Sequence, residues 1–369
     1  MRLLQGLGIL TLLLCHPLRI FAVELHHELA VSLAPEDASL EVTDTITVPG
    51  DTDTLVFALH PGLQPRLLQG DAQLARLPAA ANMHGEKRLE RYRVTLPAGR
   101  DSFTLSYSGR IRHALQQHSE EYARSFSTSR GMISPEGVFL SGSSYWYPRI
   151  EGSLLTFDLE LQLPATWKGM SQGDRLEMPA AAGKRTERWR CMAPQEEIYL
   201  IAGPFTEYAH TENGVQAMAL LRRSDPALAE KYLDATHRYI ALYDELIGPY
   251  SFGKFALVEN FWETGYGMPS FTLLGPKVIR LPFILTSSYP HEILHNWWGN
   301  SVYIDYESGN WAEGLTSYLA DHLIKEQQGR GADYRRTTLQ KYADYAGKQK
   351  DFPLTAFRSR HSARTEAIG

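Results

Sequence analysis

From Val23 to about His210, apolar and polar residues alternate in short runs. Segments 25–33, 40–48, 54–59, 91–96, 103–107 and 154–163 read as strands. Thr156-Phe157-Asp158-Leu159-Glu160-Leu161-Gln162-Leu163 keeps a period of two, as in a sheet with one wet face. Clusters such as Val48-Pro49-Gly50-Asp51 and Leu96-Pro97-Ala98-Gly99 supply the turns between strands. This spacing predicts an antiparallel sandwich or saddle. The period changes after Arg223. Ser224-Asp225-Pro226 offers a cap with proline in the first turn, and Leu228, Tyr232, Leu233, Tyr239, Ile240, Tyr243 and Ile247 then recur at helical spacing until Gly248. Segments 255–258 and 270–274 read as strands, and 290–298, 313–326 and 332–345 as helices. The fold class expected is α+β and multidomain, with a β-rich domain over 23–207 and a mixed domain over 208–369.

Composition narrows the partners. Lys+Arg number 37 against 42 Asp+Glu, for a net charge of −5, so there is no basic field for gripping phosphates and nucleic acid is excluded as a partner. Residues 1–22 hold no acid, start basic, and run through Leu7-Gly8-Ile9-Leu10-Thr11-Leu12-Leu13-Leu14-Cys15 to Ile20-Phe21-Ala22, the layout of a cleavable secretory signal. The apolar run is shorter than the ~20 residues of a spanning helix. Export to a periplasmic or extracellular space is expected, with no stable membrane span after cleavage. Of the two cysteines, Cys15 falls in the leader, which leaves Cys191 unable to form an internal disulfide.

His291-Glu292-Ile293-Leu294-His295 is the segment that carries chemistry. Residues four apart share one helix face, so both imidazoles can reach one ion, while Glu292 lies at the edge of that face within reach of a water. Ser288, ahead of Pro290, offers a cap for this helix. Glu313 follows after seventeen residues and opens a second helical pattern. Two histidines and a carboxylate are a ligand set for catalytic zinc, one ion per chain, though cobalt or manganese could substitute.

The run from His291 through Asn296-Trp297-Trp298-Gly299-Asn300, followed by Trp311-Ala312-Glu313-Gly314-Leu315, resembles the aminopeptidase N family of gluzincin zinc metallopeptidases. The resemblance implies His291, His295 and Glu313 as ligands and Glu292 as general base. It also implies a saddle domain followed by a thermolysin-like catalytic domain. Three departures stand out. The spacer before Glu313 is one residue shorter than usual, which points to a shortened loop within 303–310. Where the family carries Gly-x-Met-Glu-Asn, this chain has Gly265-Tyr266-Gly267-Met268-Pro269-Ser270. Gly267 and Met268 match and are expected to line the cleft through backbone contacts. The acid that holds the substrate amine is replaced, with Glu259, Glu263 or a carboxylate of the first domain as substitutes. The family's oxyanion tyrosine lies beyond the last residue, Gly369, so the catalytic domain reads as incomplete at its C-terminus.

The function expected is zinc-dependent hydrolysis of peptides, releasing N-terminal residues and weakened by the missing tyrosine. An endopeptidase and a catalytically dead zinc-binding β-sandwich interaction protein are the alternatives. Other features read as structural. His26-His27 reads as a solvent-facing pair, Tyr334, Tyr342 and Tyr345 as helix packing, and Arg358, Arg360, His361 and Arg364 as a solvated basic face. Leu140-Ser141-Gly142-Ser143-Ser144 lacks the glycine placement of a nucleophile elbow. No motif speaks to oligomeric state.

Overall fold

The computed structural model describes residues 24–50, 52–69, 71–80, 89–117, 127–176, 185–346, 350–360 and 362–369. Residues 1–22, where a leader is expected, with Cys15, and His361 lie outside them. The alternating segments of the first half are strands. Glu24–Ala34, Ser39–Thr47, Ser102–Arg110 and Leu154–Leu163 form the middle of a seven-stranded sheet, and Thr54–Leu59 pairs with Leu89–Thr95 in a smaller one. The large sheet is not wholly antiparallel, since Glu24–Ala34 runs parallel to Leu154–Leu163 from Glu24↔Leu154 to Ser32↔Gln162. More than a hundred residues separate these two strands, so no hairpin fixes their relative direction. His26 and His27 are not a solvent-facing pair. Successive strand residues point to opposite faces, and His27 is fully buried with Nδ1 3.0 Å from Asp44 Oδ2.

A five-stranded sheet organises the second half, in the spatial order Thr206–Glu212, Val215–Leu221, Lys254–Glu259, Phe271–Leu274, Gly265–Met268. Its three inner strands are parallel. The first crossover is the helix Pro226–Leu246, whose Asp225 cap accepts from the Leu228 amide at 3.1 Å. Both faces of the sheet are covered. Met218, Leu220, Ala256, Val258, Phe271 and Leu273 join the core of the first half, while Ala219, Leu221, Phe255, Leu257 and Leu274 pack beneath the helices with Tyr232, Tyr243 and Tyr289. Such two-sided burial explains why these strands read as unbroken apolar runs. Sheet membership changes between Gly203 and Thr206, ahead of the boundary expected at 207/208, and the larger core runs across it.

Two helices depart from their expected limits. The one carrying His291 spans Ser288–Leu294, starting two residues earlier and ending four earlier than 290–298. The Asn296 and Trp297 amides donate to the carbonyls of Ile293 and Leu294, so the chain tightens after His295 and then turns through Gly299, at φ 97. The cap position is Ser287, not Ser288, and its hydroxyl donates to the Phe283 carbonyl instead of capping the helix. The later helix is α over Trp311–Thr316, π over Ser317–His322 and α again over Leu323–Gln327. Among the described residues, no helix is long and apolar enough to cross a membrane.

Candidate active site

His291, Glu292 and His295 face a cavity of about 780 Å³, together with Glu313 and with Gly265, Tyr266 and Gly267 of the sheet's outer strand. The two imidazoles point at each other through Nε2, 3.2 Å apart. Glu313 closes the triangle, with Oε2 3.5 Å from His291 Nε2 and Oε1 3.9 Å from His295 Nε2. Ligand atoms of all three lie within 4.8 Å of one another. Zinc bonds of 2.0–2.1 Å at tetrahedral angles place neighbouring donors roughly 3.3 Å apart, so this borderline donor set fits the ion with little movement.

Tertiary contacts hold the trio in place. His291 Nδ1 lies 3.4 Å from Asp321 Oδ2, a contact that restrains the ring. Trp298 Nε1 donates to Thr316 Oγ1 at 2.8 Å and so ties the His291 helix to the Glu313 helix. Burial by itself would lower the His291 pKa, but the Asp321 and Glu313 carboxylates outweigh it and push it up to about 9. Burial and the neighbouring His291 hold His295 down at about 4. For Glu313, burial is outweighed by the bond to His291 and by Arg360, and its pKa falls to about 2. Burial raises Glu292 to about 7 against the pull of His291.

Gly267 and Met268 sit on Gly265–Met268, paired antiparallel with Phe271–Leu274. A Cβ on Gly267 would collide with Glu292 Oε2, so only glycine lets the carboxylate rest against this strand. Gly267 lines the cavity as expected, whereas Met268 is not among its lining residues and is buried in the larger core. Pro269 and Ser270 form the two-residue turn that follows, Ser270 in the left-handed region at φ 66. The Ser270 amide donates to Asn296 Oδ1 at 2.7 Å, and its hydroxyl accepts from Lys254 Nζ at 2.7 Å. The replaced segment therefore anchors the outer strand to the end of the His291 helix.

Of the expected substitutes for the lost acid, Glu259 and Glu263 are engaged elsewhere. Glu259 accepts from Arg280 Nη1 at 2.7 Å and from the Arg222 amide at 2.8 Å, and Glu263 accepts from the Lys277 amide at 3.1 Å. Glu196 and Glu197, from the first half, line the cavity instead, although Glu197 also accepts from the Gly142 amide. Two further expectations are corrected. Arg360 is not part of a solvated face, because its Nη2 lies 2.9 Å from Glu313 Oε2 and donates to Ser317 Oγ at 2.6 Å. Tyr334 lines the cavity, whereas Tyr342 is half-buried and donates to Asp351. Asp321, Arg360, Glu196 and Glu197 carried no motif.

No family model matches the chain. Among curated proteins, it is 26% identical over 185 residues to leucine aminopeptidase 2 of Emericella nidulans, covering 47% of this chain and 29% of that protein. It is 27% identical over 177 residues to aminopeptidase B of Rattus norvegicus, covering 43% of this chain and 26% of that protein. The chain thus spans less than a third of the length of these relatives. Among solved structures, an M1 zinc metallopeptidase from Deinococcus radiodurans superimposes with a TM-score of 0.65 at 18% identity, covering 94% of this chain and 81% of that one. Another structure of that metallopeptidase holds a Tyr-Ser-Ala substrate. Yeast LTA4 hydrolase superimposes with a TM-score of 0.64 at 15% identity, covering 94% of this chain and 57% of that one. The fold is that of the M1 zinc metallopeptidases, and the resemblance to the aminopeptidase N family of gluzincins holds in sequence and in fold.

Proposed function

We propose that this chain carries the active site of a zinc peptidase that removes residues from the free amino end of peptides. The observation that supports this reading best is the convergence of His291 Nε2, His295 Nε2 and the Glu313 carboxylate beside Glu292 in one cleft. The three residues would hold one zinc ion in that cleft, which when bound would supply Lewis acidity toward a scissile carbonyl. Glu292 is the general base. It takes the proton of the attacking water and passes it to the leaving amine. Asp321 keeps the His291 ring in the orientation that presents Nε2 to the cleft. The substrate backbone lies along the free edge of Gly265–Met268, beside Gly267 and Met268. Glu196 and Glu197 take the role of the missing acid and receive the substrate ammonium.

Glu292→Gln is expected to keep its zinc and lose roughly 10²–10⁴-fold in kcat on aminoacyl anilides. Unchanged turnover in that variant removes Glu292 from the mechanism. Free and N-acetylated peptides separate the exopeptidase from an endopeptidase, because only the first needs the amine. Glu196→Gln and Glu197→Gln are expected to raise KM for free peptides more than they lower kcat. A zinc-loaded chain that hydrolyses neither substrate would instead be a non-catalytic zinc-binding interaction protein. Export through the leader belongs to the same proposal, and N-terminal sequencing of exported protein should begin at Val23.

A further inference from the structure

A second group of metal-ligating side chains lies far from the cleft. The strands Thr206–Glu212 and Val215–Leu221 form a hairpin closed by Asn213 and Gly214, with φ values of 49 and 80 that suit a two-residue type I′ turn. The period of two sends His210 and Glu212 to the same face of this strand. The helix Pro226–Leu246 crosses that face and brings His237 to them. One ligand atom from each of His210, Glu212 and His237 lies within 4.8 Å of the other two.

A backbone group also holds one of the three side chains. His237 Nε2 donates to the backbone carbonyl of His210 at 3.2 Å. This bond selects the tautomer with its lone pair on Nδ1, as backbone carbonyls do for ligand histidines. The two rings meet edge to face, with centroids 5.3 Å apart and planes at 88°. His210 and Glu212 are exposed and His237 is half-buried, so solvent can complete a coordination shell. Thr206–Glu212 is the outer strand opposite Gly265–Met268, four strand spacings away, or about 19 Å. An ion here is therefore independent of the cleft.

We propose that His210, Glu212 and His237 form a second divalent-cation site, for zinc or a similar borderline ion, that fastens the outer strand of the sheet to the long helix. Two imidazoles and a carboxylate without thiolate favour zinc, nickel or copper over calcium or magnesium. The ion cross-links the outer strand to the helix that crosses it. The expected count of one zinc per chain then becomes two.

The untagged full chain, stripped of metal, is titrated with Zn²⁺ and with Co²⁺, whose absorption spectrum reports coordination. The wild type is expected to take up two equivalents. His210→Ala and His237→Ala each retain only the cleft equivalent, and His295→Ala retains only the surface equivalent. The second equivalent is expected to raise Tm in the wild type and in His295→Ala but not in His237→Ala. His210 is exposed, so its variant tests the site even if His237→Ala folds poorly. A wild type that saturates at one equivalent, lost in His295→Ala, overturns the proposal. So does a second equivalent that survives both His210→Ala and His237→Ala. Neither result counts against the cleft, whose reading fails separately through Glu292→Gln.

Discussion

A methyl group at Gly267 would occupy the space that Glu292 Oε2 now fills, so glycine at this strand position sets where the carboxylate can sit. Gly267→Ala is expected to retain zinc and to lose roughly 10²-fold in kcat, the size of effect that a displacement near 1 Å produces. Zinc analysis alongside turnover checks this, and equal loss of both would place the damage in the fold instead. Lys254 shows a different constraint. It is buried, with Nζ donating to the hydroxyl and carbonyl of Ser270, and burial lowers its pKa to about 7 despite the pull of Cys191 and Asp174. The unfolded chain keeps this amine protonated to about 10.4, so between pH 7 and 10 the unfolded state binds more protons. Stability from this group therefore rises with pH across that window and is lost as pH falls through 7. Urea titrations from pH 6 to 10 are expected to show wild type gaining on Lys254→Met as pH rises, and a constant difference would contradict it.

At the scale of elements, the π turn over Ser317–His322 accounts for a residue that no motif marked. In an unbroken α-helix, Glu313 and Asp321 would sit about 80° apart in azimuth. The wider turn rotates the chain less per residue and removes most of that offset, so both carboxylates meet His291. Asp321→Asn is expected to weaken zinc affinity about 10–100-fold while leaving the fold intact, as outer-shell changes at zinc sites do. Competition with a chelating dye measures it, and unchanged affinity would make the contact incidental. The end of the His291 helix was equally hidden. Trp297 and Trp298 continue its apolar pattern, and only their packing reveals that the chain has already turned. Trp297 Nε1 donates to the Gly248 carbonyl, while Trp298 reaches Thr316.

Across the whole molecule, the five-stranded sheet is one wall with a core on each side. Phe271 and Leu273 pack against the first half, and Leu257 and Leu274 pack against the helices, so neither half can lose its packing without disturbing the other. Unfolding is expected to follow a single cooperative transition, with calorimetric and van't Hoff enthalpies in agreement. Phe271→Ala should move that one transition by about 3–5 kcal/mol. Two separate transitions would show that the halves are energetically independent.

Strands 54–59 and 154–163 and the long helix after Asp225 were legible in the chain because periodicity and capping act over a few residues. The His291-Glu292-Ile293-Leu294-His295 segment was legible for the same reason, since helical spacing alone puts both imidazoles on one face. The partners of that segment were decided elsewhere. Arg360 beside Glu313, Glu196 and Glu197 across the cleft, the pairing of His27 with Asp44 and the meeting of His210 with His237 all join residues distant in the chain. Local pattern determines which face a side chain takes, but the group it meets there depends on how sheets and helices pack, and that is a property of the assembled core.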